Sequence, residues 1–356
     1  MKMISINLTK SKKPIPADET KLGFGRVFSD HMFVMQYDRG QGWHDARITP
    51  FAEISLSPAA MVLHYSQTIF EGLKAYRRAD GGVQLFRPEE NVKRLNLSAE
   101  RLVIPQVPED VALQGLKELV RIDKDWVPHS DGASLYLRPF VIAVDPFVGV
   151  RPADSYLFFI IASPSGAYYE SGLNPVAIKV EEKYVRAVKG GMGYTKTGGN
   201  YAASLIGQDE AHKEGFSQVL WLDGVEHKYI EEVGAMNIFF KINGEVVTPE
   251  LSGSILGGIT RKSVIELLKT KGIPVSERRI AIDEIAAAYD SGTLEEVFGT
   301  GTAAVISPVG SLKYQDKTMD VGGGKIGEVS AMLYDTLTGI QYGRLADKLN
   351  WIVKVD

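Results

Sequence analysis

The 356 residues contain no cysteine, which excludes disulfides, thiolate metal sites and cysteine nucleophiles. Histidine is scarce: the six, His31, His44, His64, His129, His212 and His227, are scattered, and none forms an H-E-x-x-H spacing, so no metal site is expected. No apolar run approaches the roughly 20 residues needed to span a bilayer; YLFFIIA at 156–162 has the length of a buried strand. The N-terminal MKMISINLTKSKKPIP has neither the apolar stretch of a secretory signal nor the Arg-rich amphipathic pattern of a transit peptide, and the expected compartment is the cytoplasm. The formal net charge of −4 provides no basic field for nucleic acid or anionic lipid. A hydrophobic content of 44% with 24% charged residues is that of a soluble globular protein.

What is there reads as two domains, because a chain of this length exceeds one ordinary core. EGLKAYRR and GVQLFRP (71–87) form a strand pair joined at Asp80-Gly81-Gly82. PEENVKRLNLSAERLVIP follows as a helix with Pro88, Glu89 and Glu90 in its first turn, the stripe Val92, Leu95, Ala99 and Leu102, and Pro105 as its stop. Asp110 is the expected cap of a second helix through Leu113, Leu116, Leu119 and Val120. Residues 133–144 and 155–162 are strand-like. SPSGAYYESGLNP (163–175) has a linker composition. The expected division is a small N-terminal domain at 1–164, a linker at 165–175 and a larger C-terminal domain at 176–356. In the second part NIFFKINGEVVTP predicts a hairpin turning at Asn243-Gly244. ITRKSVIELLKTKG predicts a helix entered from Gly257-Gly258, and GEVSAMLYDTLTGIQYG a closing helix. Strands and helices mix without a regular βαβ beat, so the fold class is α+β and not doubly wound.

Several segments carry chemistry. In KGGMGYTKTGGNYAASL, Lys196 sits between glycine clusters. A phosphate-binding P-loop is ruled out because Thr195 stands where glycine is required. Two readings stay open from this segment: a surface lysine in a loose loop, or an amine activated by its surroundings to form imines with carbonyls. LGGITRKSVIEL offers backbone N–H groups and Thr260 at a helix start, either an anion cup or an ordinary helix entry capped by Thr260. FGTGTAAVISP fails as a dinucleotide fingerprint because Ala303 leads into a strand. It is either a tight turn or a bend presenting Thr300, Thr302 and Ala303 to an anion. In YIEEVGAMNIFF, alternation turns one of Glu231 and Glu232 inward, unless both are exposed at the strand start. In SLYLRPF, Tyr136 and Arg138 share a face, and Arg138 is an edge residue or a carboxylate receptor. Arg94 reads plainly as a solvated helix arginine. An imine-forming lysine, two anion cups, a carboxylate for a ring nitrogen and a tyrosine for a phenolate oxygen together suit pyridoxal 5′-phosphate, PLP.

The same segments carry a resemblance. GFGRVFSDHMFVMQY, HYSQTIFEGLKAY, LFRPEENVKRL, SLYLRPF, KTGGNYAASL, EEVGAMNIFF, GGITR and GTGTAAVISPV, in this order and over nearly the whole chain, resemble the branched-chain amino-acid aminotransferases of the class IV (fold-type IV) PLP enzymes. The resemblance implies a two-domain fold with PLP between the domains, and a homodimer. Lys196 matches the lysine that binds PLP covalently and moves the proton at the substrate Cα. Tyr201 matches the partner of the phenolate oxygen, and Glu232 that of the pyridinium nitrogen. Arg94, Ile259 through its backbone, Thr260 and Thr302 match the phosphate site, with Gly258 and Gly301 among the cofactor-binding residues. Tyr65, Thr302 and Ala303 match the receptor for the substrate α-carboxylate. Phe70, Gly72, Tyr136 and Val150 match the side-chain pocket, Val150 coming from the partner subunit, and Arg138 receives the second carboxylate of glutamate.

The implied activity is ping-pong amino transfer from L-leucine, L-isoleucine or L-valine to 2-oxoglutarate. Rivals of the same fold are D-amino-acid aminotransferase and aminodeoxychorismate lyase; a non-catalytic phosphate-ligand module is the rival of another class. Where some animal members carry a Cys-x-x-Cys pair, this chain has Ala304 and Ser307, which excludes a thiol switch.

Overall fold

A computed structural model describes residues 4–166 and 173–355, so residues 167–172 of the expected linker lie outside the described part. The chain groups into two units. The first holds 4–166, 195–198 and 339–355, and the second holds 173–194 and 199–338.

In the first unit the elements run β1 (Ser5–Ile6), β2 (His31–Asp38), β3 (Gly42–Pro50), α1 (Met61–Tyr65), β4 (Thr68–Phe70), β5 (Leu73–Arg77) and β6 (Val83–Phe86). They continue as α2 (Pro88–Arg101), α3 (Glu109–Ile122), β7 (Ser134–Ala143) and β8 (Ser155–Ser165). Nine strands of the second unit follow, and the chain then returns with β18 (Ile352–Lys354). The sheet order is β1-β3-β2-β8-β7-β5-β6-β18, with β4 paired to β7. Helices α2 and α3 pack their apolar stripes, Val92, Leu95 and Ala99 on one and Leu116, Leu119 and Val120 on the other, into the core that also contains Phe33, Leu135 and Phe158.

The second unit contains β9 (Val176–Glu181), α4 (Gly198–Lys213, in this unit from Gly199), β10 (Gln218–Leu222), β11 (Ile230–Val233), β12 (Met236–Ile242) and β13 (Glu245–Thr248). These are followed by α5 (Ile259–Thr270), β14 (Val275–Glu277), α6 (Ile282–Asp290), β15 (Leu294–Gly301), β16 (Val305–Tyr314), β17 (Lys317–Asp320) and α7 (Glu328–Gln341, in this unit to Thr338). Its sheet order is β11-β10-β9-β16-β15-β12-β13-β14, and β11 pairs with β12 as well as β10, so six strands close on themselves. Antiparallel pairs dominate both sheets, in agreement with the α+β expectation. The β12–β13 hairpin turns at Asn243 and Gly244, with φ of 48° and 79°, the two left-handed positions that a tight hairpin demands.

The structure corrects four details. The expected capping residue Asp110 is inside the first turn of α3, because Pro108 occupies the N-cap position. Helix α2 ends at Arg101, before Pro105, with the Leu102 N–H turning back to the Ser98 carbonyl. The linker-like Ser163–Ser165 continues β8, where Ser163 pairs with Tyr136. The first unit is the larger of the two, contrary to the expected size order, because β18 pairs with β6 and draws 339–355 into it. No helix among the described residues is long and apolar enough to cross a membrane.

Candidate active site

In the first unit, Lys196 is fixed by its backbone. Its N–H donates to Ser98 Oγ at 3.0 Å, and its carbonyl accepts the Phe70 N–H at 3.0 Å. Thr197 bridges to Ile69 and donates its hydroxyl to the Thr68 carbonyl at 2.7 Å. The loop lysine is therefore part of an ordered sheet edge, and the loose-loop reading does not hold. Its Nζ lies 4.9 Å from the centre of the Phe70 ring. Arg138, projecting from β7, places its guanidinium 4.8 Å from the same ring and 5.3 Å from that of Tyr136. Its Nη2 donates to the Tyr136 hydroxyl at 3.0 Å, so the two residues do share a face. Arg138 Nε is buried and has no hydrogen-bond partner. Gly72 is required at its position, because a Cβ there would overlap the Tyr136 hydroxyl.

Arg94 is not a solvated helix arginine. Its side chain is 10% exposed, and Nε and Nη2 each donate to Glu71 at 2.8 Å. Glu71, 1% exposed, also accepts from Asn91 Nδ2 at 2.8 Å and from the Gly72 N–H at 3.3 Å. The structure thus brings Phe70, Gly72, Arg94, Tyr136, Arg138 and Lys196 into two linked clusters along β4, β5, α2 and β7. Tyr65 ends α1 at 37% exposure, and Val150 is 88% exposed on a loop.

In the second unit both Glu231 and Glu232 are buried, at 5% and 3% exposure, where alternation turned only one inward. The reason is the closure of the sheet: β11 is covered on one side by the 249–258 segment as well as paired on both edges. Arg186 Nε forms a 2.6 Å ion pair with Glu232 Oε2. Glu232 Oε1 accepts from Asn237 Nδ2 at 3.2 Å and the Leu256 N–H at 3.3 Å. Asn237 pairs with Thr300 in the sheet register, and Thr300 Oγ1 is buried without a hydrogen-bond partner.

Helix α5 starts from Gly258 with no side-chain cap. Its first-turn N–H groups at Ile259 and Thr260 therefore retain the positive end of the helix dipole. Thr260 lies inside the helix and does not cap it. A Cβ at Gly258 would overlap Asn237 Oδ1 and so push aside the amide that donates to Glu232. Gly301 pairs with Val305 across the β15–β16 bend, leaving Thr302 and Ala303 at its tip. Tyr201 lies in the first turns of α4, where its carbonyl accepts from Ser204 Oγ at 2.7 Å.

Sequence reasoning does not single out Glu71, Arg186 or Lys74. An acid or a lysine abutting an apolar strand is the signal for Glu71 and Lys74; Arg186, far in sequence from Glu232, has no local signal. Lys74 stands opposite Tyr136 on β5, and burial pushes its amine down to about 8.

The amino-transferase class IV family pattern matches residues 68–312. The chain is 60% identical over 352 residues to branched-chain-amino-acid aminotransferase 2 of Bacillus subtilis (strain 168), covering 99% of this chain and 97% of that protein. Among solved structures, the branched-chain amino acid aminotransferase of Escherichia coli superposes with a TM-score of 0.76 at 29% identity, over 90% of this chain and 99% of the other. The branched-chain aminotransferase of the thermophilic archaeon Thermoproteus uzoniensis, solved with norvaline, gives a TM-score of 0.75 at 25% identity, over 92% and 100%. With the fold-type IV architecture reproduced across both units, the chain belongs to the class IV aminotransferases.

Proposed function

We infer that the protein is a branched-chain amino-acid aminotransferase, exchanging the amino group of L-leucine, L-isoleucine or L-valine with 2-oxoglutarate. The observation that carries this reading is the pairing, next to Lys196, of the Phe70 and Tyr136 rings with a guanidinium that has a buried unpartnered N–H. One pocket that must accept an aliphatic chain in one half-reaction and a carboxylate in the other needs that combination.

The donor set suits PLP. Glu232 supplies a buried carboxylate for a ring nitrogen, and Tyr201 a hydroxyl for the phenolate oxygen. The uncapped start of α5 at Gly258, Ile259 and Thr260, together with Thr302 and Arg94, supplies an anion seat. The buried, unpartnered Thr300 hydroxyl marks the same bend as built to donate. Arg94 Nε and Nη2 are held by Glu71, and Arg94 serves the phosphate through its charge. When bound, PLP supplies an electron sink and carries the amino group between the two half-reactions.

The chain's own residues do the rest. Lys196 Nζ takes and returns the proton at the substrate Cα. Glu232 holds the proton on the ring nitrogen, with Arg186 holding the carboxylate in place. Tyr65, Thr302 and Ala303 receive the α-carboxylate. Phe70, Gly72 and Tyr136, with Val150 from the partner subunit of a homodimer, exclude water from the aliphatic chain, and Arg138 receives the second carboxylate of glutamate. The homodimer and a cytoplasmic location are part of this proposal.

Single-turnover half-reactions with L-leucine, L-glutamate, D-alanine and aminodeoxychorismate test it. Turnover of the first two alone is expected. Arg138→Met is expected to retain the L-leucine half-reaction and lose that of L-glutamate, and Lys196→Ala to slow both by about 10³-fold or more. Release of pyruvate from D-alanine without turnover of L-leucine would sink the assignment.

A further inference from the structure

Next to the Arg186–Glu232 pair stands a charged group that the proposed chemistry leaves unused. Glu231, 5% exposed, accepts the Ser254 hydroxyl on Oε1. The Ser254 carbonyl accepts Arg186 Nη2 at 2.5 Å, and Arg186 Nε contacts Glu232 Oε2 at 2.6 Å. Glu231, Ser254, Arg186 and Glu232 therefore form one buried chain that holds two carboxylates and one guanidinium. Glu231 Oε2 is buried without a hydrogen-bond partner, and the residue lines a cavity of about 470 Å³.

The other charged groups at this cavity do not restore the balance. The Asp223 carboxylate is taken up by the N–H groups of Val225, Glu226, Lys228 and Tyr229. Glu226 and Arg279 pair with each other at 3.3 Å, and Arg279 lies over the Tyr229 ring. Lys189 and Glu250 are exposed and opposite in sign. Burial pushes the Glu231 carboxyl up to about 7; Ser254 and Arg186 oppose the rise, while Glu232 and Asp223 add to it.

Within this chain of four residues one positive charge stands against two carboxylates, and a second is missing. We propose that Glu231 is a positioning residue that carries a proton while that charge is missing and releases it, through the cavity to water, when a cationic ring nitrogen is seated against Glu232. Arg186 is then shared between the two carboxylates. The proposal rests on the reading that Glu232 faces the ring nitrogen of PLP.

The test is dialysis of PLP from the holoenzyme between pH 6 and pH 8, in the wild type, Glu231→Gln, Glu231→Asp and Glu232→Gln, with thermal melting as the check on folding. Loss of one proton near pH 7 makes the ratio of wild-type to Glu231→Gln affinity grow about tenfold across this range. Glu231→Asp is expected to restore a pH-dependent ratio that a purely structural role would not produce. Infrared spectra at pH 6 supply a readout independent of activity: a carboxylic-acid band in PLP-depleted wild type, absent from the holoenzyme and from Glu231→Gln. A ratio constant with pH, or no such band, overturns the proposal while the reading of Glu232 survives. Undiminished PLP binding by Glu232→Gln overturns both.

Discussion

Among the described residues each unit contains a buried arginine–glutamate pair, and the two pairs are built to different rules. Arg94 meets Glu71 with two parallel hydrogen bonds of 2.8 Å, and the remaining capacity of the carboxylate is filled by Asn91 and the Gly72 N–H. Charges balance one to one, the arrangement in which a buried pair offsets its own desolvation. Arg186 meets Glu232 through an ion-pair contact from Nε, spends Nη2 on two backbone carbonyls, and has Glu231 as a second acid nearby. The first pair matches one cation to one acid; the second sets one guanidinium beside two acids. A buried ion pair therefore says little until its charges and donors are counted. The count separates a pair whose charges match from one in which two acids lie beside a single guanidinium.

Removing each cation tests this difference most severely. Arg186→Met is expected to cost the more, about 5 kcal/mol at pH 8, because it strands two carboxylates. The loss should shrink toward pH 5 as they take up protons. Arg94→Met strands one carboxylate that keeps its amide donors, and about 3 kcal/mol is expected. Thermal and urea unfolding at both pH values measure these losses, and equal, pH-independent ones would erase the distinction.

An effect of the opposite sign is expected at Glu231. The Glu231 carboxyl, at about 7 in the folded chain against 4.5 ordinarily, holds its proton in the native state where the unfolded chain has lost it. Its contribution is full below the ordinary value and is lost as pH rises through about 7. In PLP-depleted protein Glu231→Gln is therefore expected to be more stable than wild type by about 3 kcal/mol at pH 8 and indistinguishable at pH 4. Thermal midpoints across that range check it, and the gap should narrow when PLP is bound.

Asp223 gives the smallest effect and the reverse dependence. Burial raises its carboxyl, but the N–H groups of Glu226, Tyr229, Lys228 and Val225 outweigh that and leave it at about 2. Its stabilisation is present above the ordinary carboxylate range and is lost as pH falls toward 2. The melting-point deficit of Asp223→Asn should be clear at pH 7 and close on acidification.

Local features were legible in the chain, and long-range pairings were not. Asn243-Gly244 announces its hairpin because a tight turn needs two left-handed residues, and Pro88 with its acidic neighbours announces α2. The SLYLRPF strand puts Tyr136 and Arg138 on one face by simple alternation, as found. Glu71, by contrast, is defined by Arg94 on the helix two elements later, and Glu232 by Arg186 from a segment without periodicity. Alternation also fails for Glu231, because a strand in a closed sheet covered by a further segment has no outward face to give it. The return of β18 was equally hidden, since three residues carry too little pattern to reveal a partner in β6.

That return sets an order of events during synthesis. Strand β6 gains its outer neighbour only when Ile352–Lys354 pair with it, flanked by the Arg87 N–H on the Trp351 carbonyl and the Val355 N–H on the Val83 carbonyl. The ribosome makes these residues after the whole second unit. A nascent chain can therefore close the later-made unit while the earlier-made one still shows an open sheet edge, and open edges invite strand exchange with another chain. An affinity tag fused after the last strand bears on that same edge, so its placement affects the yield of folded protein before it touches catalysis.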